Sequence, residues 1–241
     1  MIDIHSHVLP GVDDGASSLE AAKLMLAEAQ KAGVRTIIAT PHYSRELHEN
    51  GMRDRVFDAV LDEALRFGIK LLKGYELKIH HYPARMPQDF RGLDLAGTKF
   101  ILLELPLDTV PSYTPDLIYR IQLQGFMPII AHPERCRKLA RDKEMLDELL
   151  DAGCLLQIDA SSIIGVNGGR ARRFAKKLIK KGRASFVASD AHRPSGYSVW
   201  YTKAYKKVVK WVGQSRADAL FCNNAADIFG YADENSSVVV S

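Results

Sequence analysis

Apolar positions along the chain follow two rhythms. Short apolar runs at Met1–His5, Val34–Thr40, Lys70–Glu76, Phe100–Leu105, Met127–Ala131, Cys154–Asp159 and Ala184–Ser189 have the length and composition of strands. Between them, apolar residues recur at i, i+3 and i+4 in Leu19–Ala32, Asp54–Phe67, Pro115–Gln124, Lys143–Ala152 and Gly169–Lys181, which predicts amphipathic helices. In the last of these, Ala171, Phe174, Ala175, Leu178 and Ile179 make one face. Each helical segment closes on a glycine, a common stop signal. The alternation, about 34 residues per unit, predicts parallel strands joined by crossover helices. Leu77–Gly97 is less regular and reads as loops with a short helix. Nothing divides residues 1–230, which read as one domain, and 231–241 read as a tail expected to be disordered.

A doubly wound sheet and a barrel both carry this rhythm. The first strand runs into His5-Ser6-His7 with no G-x-G-x-x-G, which favours a barrel-like α/β fold. Barrels place their catalytic residues at the C-terminal ends of strands. Composition changes this picture little. The chain has 241 residues, 46% hydrophobic and 26% charged, enough for a single core. Its net charge of +4 is too mild to imply nucleic acid or membrane binding. Cys136, Cys154 and Cys222 form no C-x-x-C, so a disulfide or cysteine–zinc framework is not expected, and a reducing cytoplasm is. No apolar run approaches the ~20 residues of a membrane span, and MIDIHSH lacks the basic and apolar regions of a secretory signal.

The histidines carry the chemistry. The strand ends present His5 and His7, His42, Glu76, Glu104, His132, and finally Asp190 and His192; the sixth strand ends at Asp159. Side chains two apart on a strand share a face, so His5 with His7, and Asp190 with His192, are placed to chelate one ion as pairs. With Asp14 the set is His5, His7, Asp14, His42, Glu76, Glu104, His132, Asp190 and His192. One zinc takes about four protein ligands, so this set suits a cluster of two or three ions, which favours phosphoester hydrolysis. Unpaired buried charges are costly, so a purely structural role for so many strand-end residues is a poor explanation. His48, His80 and His81 lie in irregular segments and read as surface histidines.

The segments IDIHSHVLPGVDDG, GVRTIIATPHY, FILLELP, GFMPIIAHPER and FVASDAH resemble the polymerase and histidinol phosphatase (PHP) superfamily. Within it they are most similar to the bacterial protein-tyrosine phosphatases of the CpsB/CapC/YwqE type, and the resemblance runs from Met1 to about Gly230. It implies a distorted (β/α)7 barrel with three divalent ions at the C-terminal ends of the strands. Manganese is the expected metal, with iron, zinc, cobalt or magnesium as alternatives. It also implies hydrolysis of phosphotyrosine, with a tyrosine autokinase of capsule or exopolysaccharide synthesis as the partner. By resemblance, His5, His7, Glu76 and Asp190 surround one ion. Glu76, Glu104 and His132 surround a second. Asp14, His42 and His192, with Asp190 bridging, surround a third. Arg135 in HPER matches an arginine thought to hold the phosphate. A second family arginine is replaced here by Tyr197, leaving Arg193 as the nearby candidate for a phosphate contact. Asp14 and His192 are the candidates to protonate the tyrosyl leaving group, provided metal does not fully occupy them.

Other classes fit less well. A cysteine-dependent phosphatase needs Cys-x5-Arg, but Asp142, Ala160 and Ile228 stand at the arginine position. No D-x-D is present for an aspartyl-phosphate mechanism. The enzyme alternative is a PHP phosphatase of a small phosphomonoester such as histidinol phosphate. The basic run from Arg170 to Arg183 lies opposite the apolar face of its own helix and reads as a solvated face, not a nucleic-acid site.

Overall fold

The computed structural model of the chain describes residues 1–229; the expected tail at 231–241 lies outside them. Eight strands are found among the described residues: β1 (Ile2–Ser6), β2 (Thr36–Ala39), β3 (Lys70–Lys73), β4 (Glu76–Lys78), β5 (Phe100–Glu104), β6 (Met127–Ala131), β7 (Leu155–Asp159) and β8 (Phe186–Ala188). Every pairing is parallel, in the orders β1-β2-β3 and β4-β5-β6-β7-β8. Two bridges join these sheets into a distorted barrel, His42 with Glu76 at one seam and Ser6 with Ala191 at the other. At the second seam the Asp190 N–H donates to the His5 carbonyl and the His7 N–H to the Ala191 carbonyl, each at 3.0 Å.

The strand expected at Lys70–Glu76 runs instead as two pieces, β3 and β4, broken at Gly74. A Cβ at Gly74 would stand 2.8 Å from Leu95 Cδ2 and 3.0 Å from Ile38 Cγ2, so a larger residue would displace these side chains. The loop carrying Leu95 fills the opening, with the Ala96 N–H donating to Lys73 and the Leu95 N–H to Phe100. Glu76 consequently begins β4 and does not end a longer strand.

The expected helices are present at Leu19–Lys31, Met52–Arg66, Thr114–Leu123, Lys143–Asp151 and Gly168–Lys180. The sequence reading missed the helical run after β8: a π-helix at Gly196–Tyr201 leading into Thr202–Val212, then Gln214–Asp218, Ala219–Asn223 and Asn224–Phe229. One core lies between barrel and helices. A second fills the lumen with Ile2, Ile4, Ile38, Phe100, Leu102, Ile129 and Phe186. The last helix closes its floor, Phe229 meeting Phe100 edge-on at 5.9 Å. Apolar residues thus occupy the N-terminal end of the lumen, and polar residues are left for the other end.

Candidate metal centre

Local backbone devices aim the site residues into the lumen. On β5, Phe100 and Leu102 face inward, and the same alternation brings Glu104 inward at the strand's end. On β1 simple alternation would send His5 to the face opposite Ile4. The pairing of Asp3 with Ile37 and of Ser6 with Ala39 leaves one extra residue in β1, a bulge that returns His5 to the lumen. His132 (φ 31°) and Asp190 (φ 47°) both adopt the left-handed region that non-glycine residues avoid. Gly15 is packed so closely that a Cβ would stand 2.1 Å from the His7 carbonyl oxygen, which fixes the 13–15 turn against His7.

All nine predicted ligands converge. His5 Nε2 lies 3.1 Å from His7 Nε2, 3.4 Å from Glu76 Oε1 and 3.3 Å from Asp190 Oδ1. His7 Nε2 lies 3.4 Å from Glu76 Oε2 and 3.3 Å from Asp190 Oδ1. Glu76 also meets His132 Nε2 and His42 Nδ1, each at 3.0 Å. Asp14 Oδ1 stands 3.2 Å from His192 Nε2 and 3.5 Å from His42 Nε2. Three sets have donor atoms all within 4.8 Å of one another: His5 with His7 and Asp190; His7 with Asp14, His42 and His192; and His42 with Glu76 and Glu104. This grouping departs from the expected one: His7 also joins Asp14, His42 and His192, Glu76 is absent from the His5 group, and Asp190 is absent from the Asp14 group. His42 joins Glu76 and Glu104, whereas His132 meets Glu76.

The donor set suits divalent ions, since imidazole and carboxylate together fit manganese, iron or zinc. His42 Nδ1, Glu104 Oε2 and Asp190 Oδ1 are buried without a well-aligned hydrogen bond, as ligand atoms awaiting a cation would be. Partners behind the cluster fix the imidazole tautomers. His5 Nδ1 pairs with Gln157 Oε1 at 2.9 Å, His7 Nδ1 with Asp13 Oδ2 at 2.7 Å, and His192 Nδ1 with the Asp190 carbonyl at 3.0 Å. Each arrangement leaves Nε2 toward the cluster. Asp13 also accepts the His42 N–H at 3.0 Å and the Gly15 N–H at 2.9 Å.

Electrostatics follow from burial and crowding. Burial opposes charge on His5, but Glu76 and Asp190 override it and push it up to about 9. Burial likewise opposes charge on His7, and Asp13, Asp190 and Glu76 raise it well above the usual value. Burial works against ionised Glu76 too, yet the surrounding histidines hold it well below the ordinary carboxylate range. His192 is lowered by burial and by His7, so it is largely neutral at pH 7 and poorly suited to donate a proton. Behind Arg135, burial and the neighbouring Asp159 raise Glu134 to about 7.

All of the cluster but the buried His5 and His7 lines a cavity of ≈ 170 Å³ that also takes in Lys78, Pro106, Leu107 and Arg135. Arg135 Nη1 donates to Asp190 Oδ2 at 2.8 Å. Arg193 does not join it: the chain turns away into the next helix there, the Gly196 N–H donates to the Arg193 carbonyl, and the side chain is exposed. Tyr197 is fully buried below the site, donating to Asp3 Oδ2 at 2.8 Å with Ser6 Oγ 2.9 Å away, so it is no stand-in for a phosphate-binding arginine. His48 is partly buried against Tyr43 and Tyr75 and so is not a plain surface residue; His81 is exposed. Cys136 and Cys154 are buried, and desolvation pushes Cys154 up to about 12, leaving it inert as a nucleophile.

Sequence reasoning missed Asp13, Gln157 and Lys78. Gln157, a polar residue within the apolar strand LLQID, carried a readable signal. Asp13, in the run Asp13-Asp14-Gly15, is ambiguous with a turn residue, and Lys78 carries no signal.

Known proteins share this architecture. The chain is 38% identical over 204 residues to the tyrosine-protein phosphatase YwqE of Bacillus subtilis, covering 80% of this chain and 77% of that one. It is 32% identical over 240 residues to the tyrosine-protein phosphatase CpsB of Streptococcus agalactiae, covering 95% and 98%. A crystal structure from a study of YwqE from Bacillus subtilis and CpsB from Streptococcus pneumoniae, described there as unique metal-dependent tyrosine phosphatases, superposes with a TM-score of 0.85 at 32% identity, covering 95% of this chain and 94% of that one. The Listeria monocytogenes lactonase Lmo2620 matches with a TM-score of 0.65 at 14% identity over 95% and 94% of the two chains, a likeness of fold alone. Residues 1–230 match the family model for capsular polysaccharide synthesis, CpsB/CapC, and the chain belongs to that family.

Proposed function

We propose that this protein is a metal-dependent phosphatase acting on phosphotyrosine in proteins, with residues 1–230 working as one barrel unit. The observation that carries the reading is the clustering of nine imidazole and carboxylate side chains, seven of which line one cavity with Arg135 at its wall. The names of its relatives YwqE and CpsB support the choice of phosphotyrosine. The centre takes three divalent ions, manganese foremost: one at His5, His7 and Asp190, one at Asp14, His42 and His192, and one at Glu76 and Glu104, flanked by His42 and His132. Such ions supply Lewis acidity, compensating phosphoryl charge and lowering the pKa of water. Gln157 and Asp13 hold His5 and His7 with Nε2 forward. Arg135 binds the phosphoryl group through its planar guanidinium. The substrate we favour is a tyrosine autokinase of capsule or exopolysaccharide synthesis, met in the cytoplasm. Among the described residues no helix is long and apolar enough to cross a membrane.

The test compares turnover of a phosphotyrosine peptide and of histidinol phosphate by protein stripped with a chelator and then resupplied with manganese. Peptide hydrolysis that disappears on stripping and returns with manganese is the expected result. Preference for histidinol phosphate would overturn the substrate, and metal-independent turnover would overturn the mechanism.

A further inference from the structure

Away from the metal centre, two packed helical segments carry charge of a single sign. Residues 168–183 contain eight Lys and Arg and no Asp or Glu, and residues 202–212 contain four Lys and no Asp or Glu. Taking those 12 from the chain's 33 leaves 21 Lys and Arg against 29 Asp and Glu, so the net charge of +4 conceals a strong separation.

The two helices bring these charges together. Arg172 lies near enough to Lys207 to help lower its pKa, after burial. Lys176 Nζ stands 5.4 Å from the Trp211 ring centre. Lys203, Lys206, Lys207 and Lys210 recur at i, i+3, i+4 and i+7, away from the buried Ala204 and Val208. With Ile164 they line an open concavity of ≈ 400 Å³. Elsewhere lysines are matched locally: Lys23, Lys31, Lys138 and Lys143 each pair with a carboxylate on their own helix or its cap. Among the described residues the four lysines of the concavity and Arg172 have no such partner. Like charges crowded this way repel one another, a cost that a merely solvated face avoids by dispersing them. The flank also reaches the metal centre, because Arg170 Nη2 donates to the Arg135 carbonyl at 3.1 Å and Arg135 lines the metal cavity.

We propose that this flank is a docking surface for an acidic polypeptide segment of the protein substrate, an inference that rests on the phosphoprotein reading above. Charge complementarity sets the sign of the partner. The concavity, and the contact of Arg170 on the same flank with Arg135, favour an extended chain over a flat anionic bilayer.

The experiment uses the metal-loaded full chain and two fluorescent peptides of equal length around one phosphotyrosine, one flanked by glutamates and one by glutamines. Anisotropy with unphosphorylated versions measures docking, and turnover of the phosphorylated versions measures its consequence. The acidic peptide should bind about tenfold more tightly and show a KM about tenfold lower, an advantage that fades with added salt. In a variant carrying Lys203→Gln, Lys206→Gln, Lys207→Gln and Lys210→Gln, that advantage should vanish while p-nitrophenyl phosphate turnover is unchanged, which also shows that the variant folds. A second variant, Arg172→Gln with Lys176→Gln, should reduce it in part. Equal binding of the two peptides, or an undiminished preference in the quadruple variant, would overturn the proposal. So would a variant that loses only its binding to phosphatidylglycerol vesicles. Absence of all phosphate hydrolysis would instead refute the phosphatase reading, leaving anisotropy to decide docking.

Discussion

Asp13 is the most informative single residue to perturb, because it touches two candidate ligands without lining the cavity. Its carboxylate receives His7 Nδ1 at 2.7 Å, the His42 N–H at 3.0 Å and the Gly15 N–H at 2.9 Å. Burial opposes its ionisation, but His7 overrides this and holds it below the usual carboxylate range, so it is charged at neutral pH. In Asp13→Asn the charge disappears and the amide nitrogen must oppose one of those donors. Losing one charge-assisted hydrogen bond costs about 1.5–3 kcal/mol. Removing a partner behind a metal ligand typically weakens metal binding about 10–100-fold, which is about 1.4–2.8 kcal/mol. The two routes agree. Titration of stripped protein with manganese, by calorimetry or against a chromogenic chelator, should show the dissociation constant at the His7 site rising by that factor. Turnover at saturating manganese should stay near wild type. Unchanged metal affinity would refute the assigned role, as would lost turnover with full metal occupancy.

Arg135→Lys keeps the charge but loses the planar fork, and kcat/KM for a phosphotyrosine peptide should fall by about 10–100-fold with metal content unchanged by elemental analysis. Tyr197→Phe removes a buried hydroxyl from Asp3 and Ser6 and should cost about 1–3 kcal/mol of unfolding free energy in urea titrations, with unaltered peptide kinetics; a selective rise in KM would contradict this purely structural role. The stripped protein should lose stability as pH rises from 6.5 to about 9, because His5 is held protonated in the fold up to about 9 and its contribution is complete only below 6.5. Glu134, raised to about 7, acts in the same direction as it ionises. Thermal melts of stripped protein across that range check the sign, and a midpoint that climbs with pH would contradict it.

The gathering of these side chains was legible because strand-end chemistry is local: a histidine or carboxylate after an apolar run stays near the strand's end whatever the rest of the fold does. The aim of each side chain was not. His5 faces the lumen only through the β1 bulge, which depends on pairing with β2. Glu76 owes its place to the break at Gly74, forced by Leu95 and Ile38 arriving from distant parts of the chain. The partition of ligands shifted for the same reason, since His42 reaches Glu76 across a seam between two sheets. The helices after β8 were missed because lysines in KAYKKVVKWV mask a narrow apolar stripe centred on Ala204 and Val208. Tyr197 is the clearest case of substitution read out of context. It stands where the family often has an arginine, but its hydroxyl serves Asp3, the carboxylate that also receives the Ser189 N–H and hydroxyl beneath the site.

The central claim is that the clustered side chains hold metal and that the metal-loaded protein dephosphorylates tyrosine. The most direct measurement is metal content per chain, taken alongside phosphotyrosine-peptide turnover on the same stripped and manganese-reloaded samples. Three ions per chain should be found after reloading, with no turnover when stripped and recovery of both together. Full turnover in metal-free protein, or full occupancy with no phosphotyrosine hydrolysis, would contradict it.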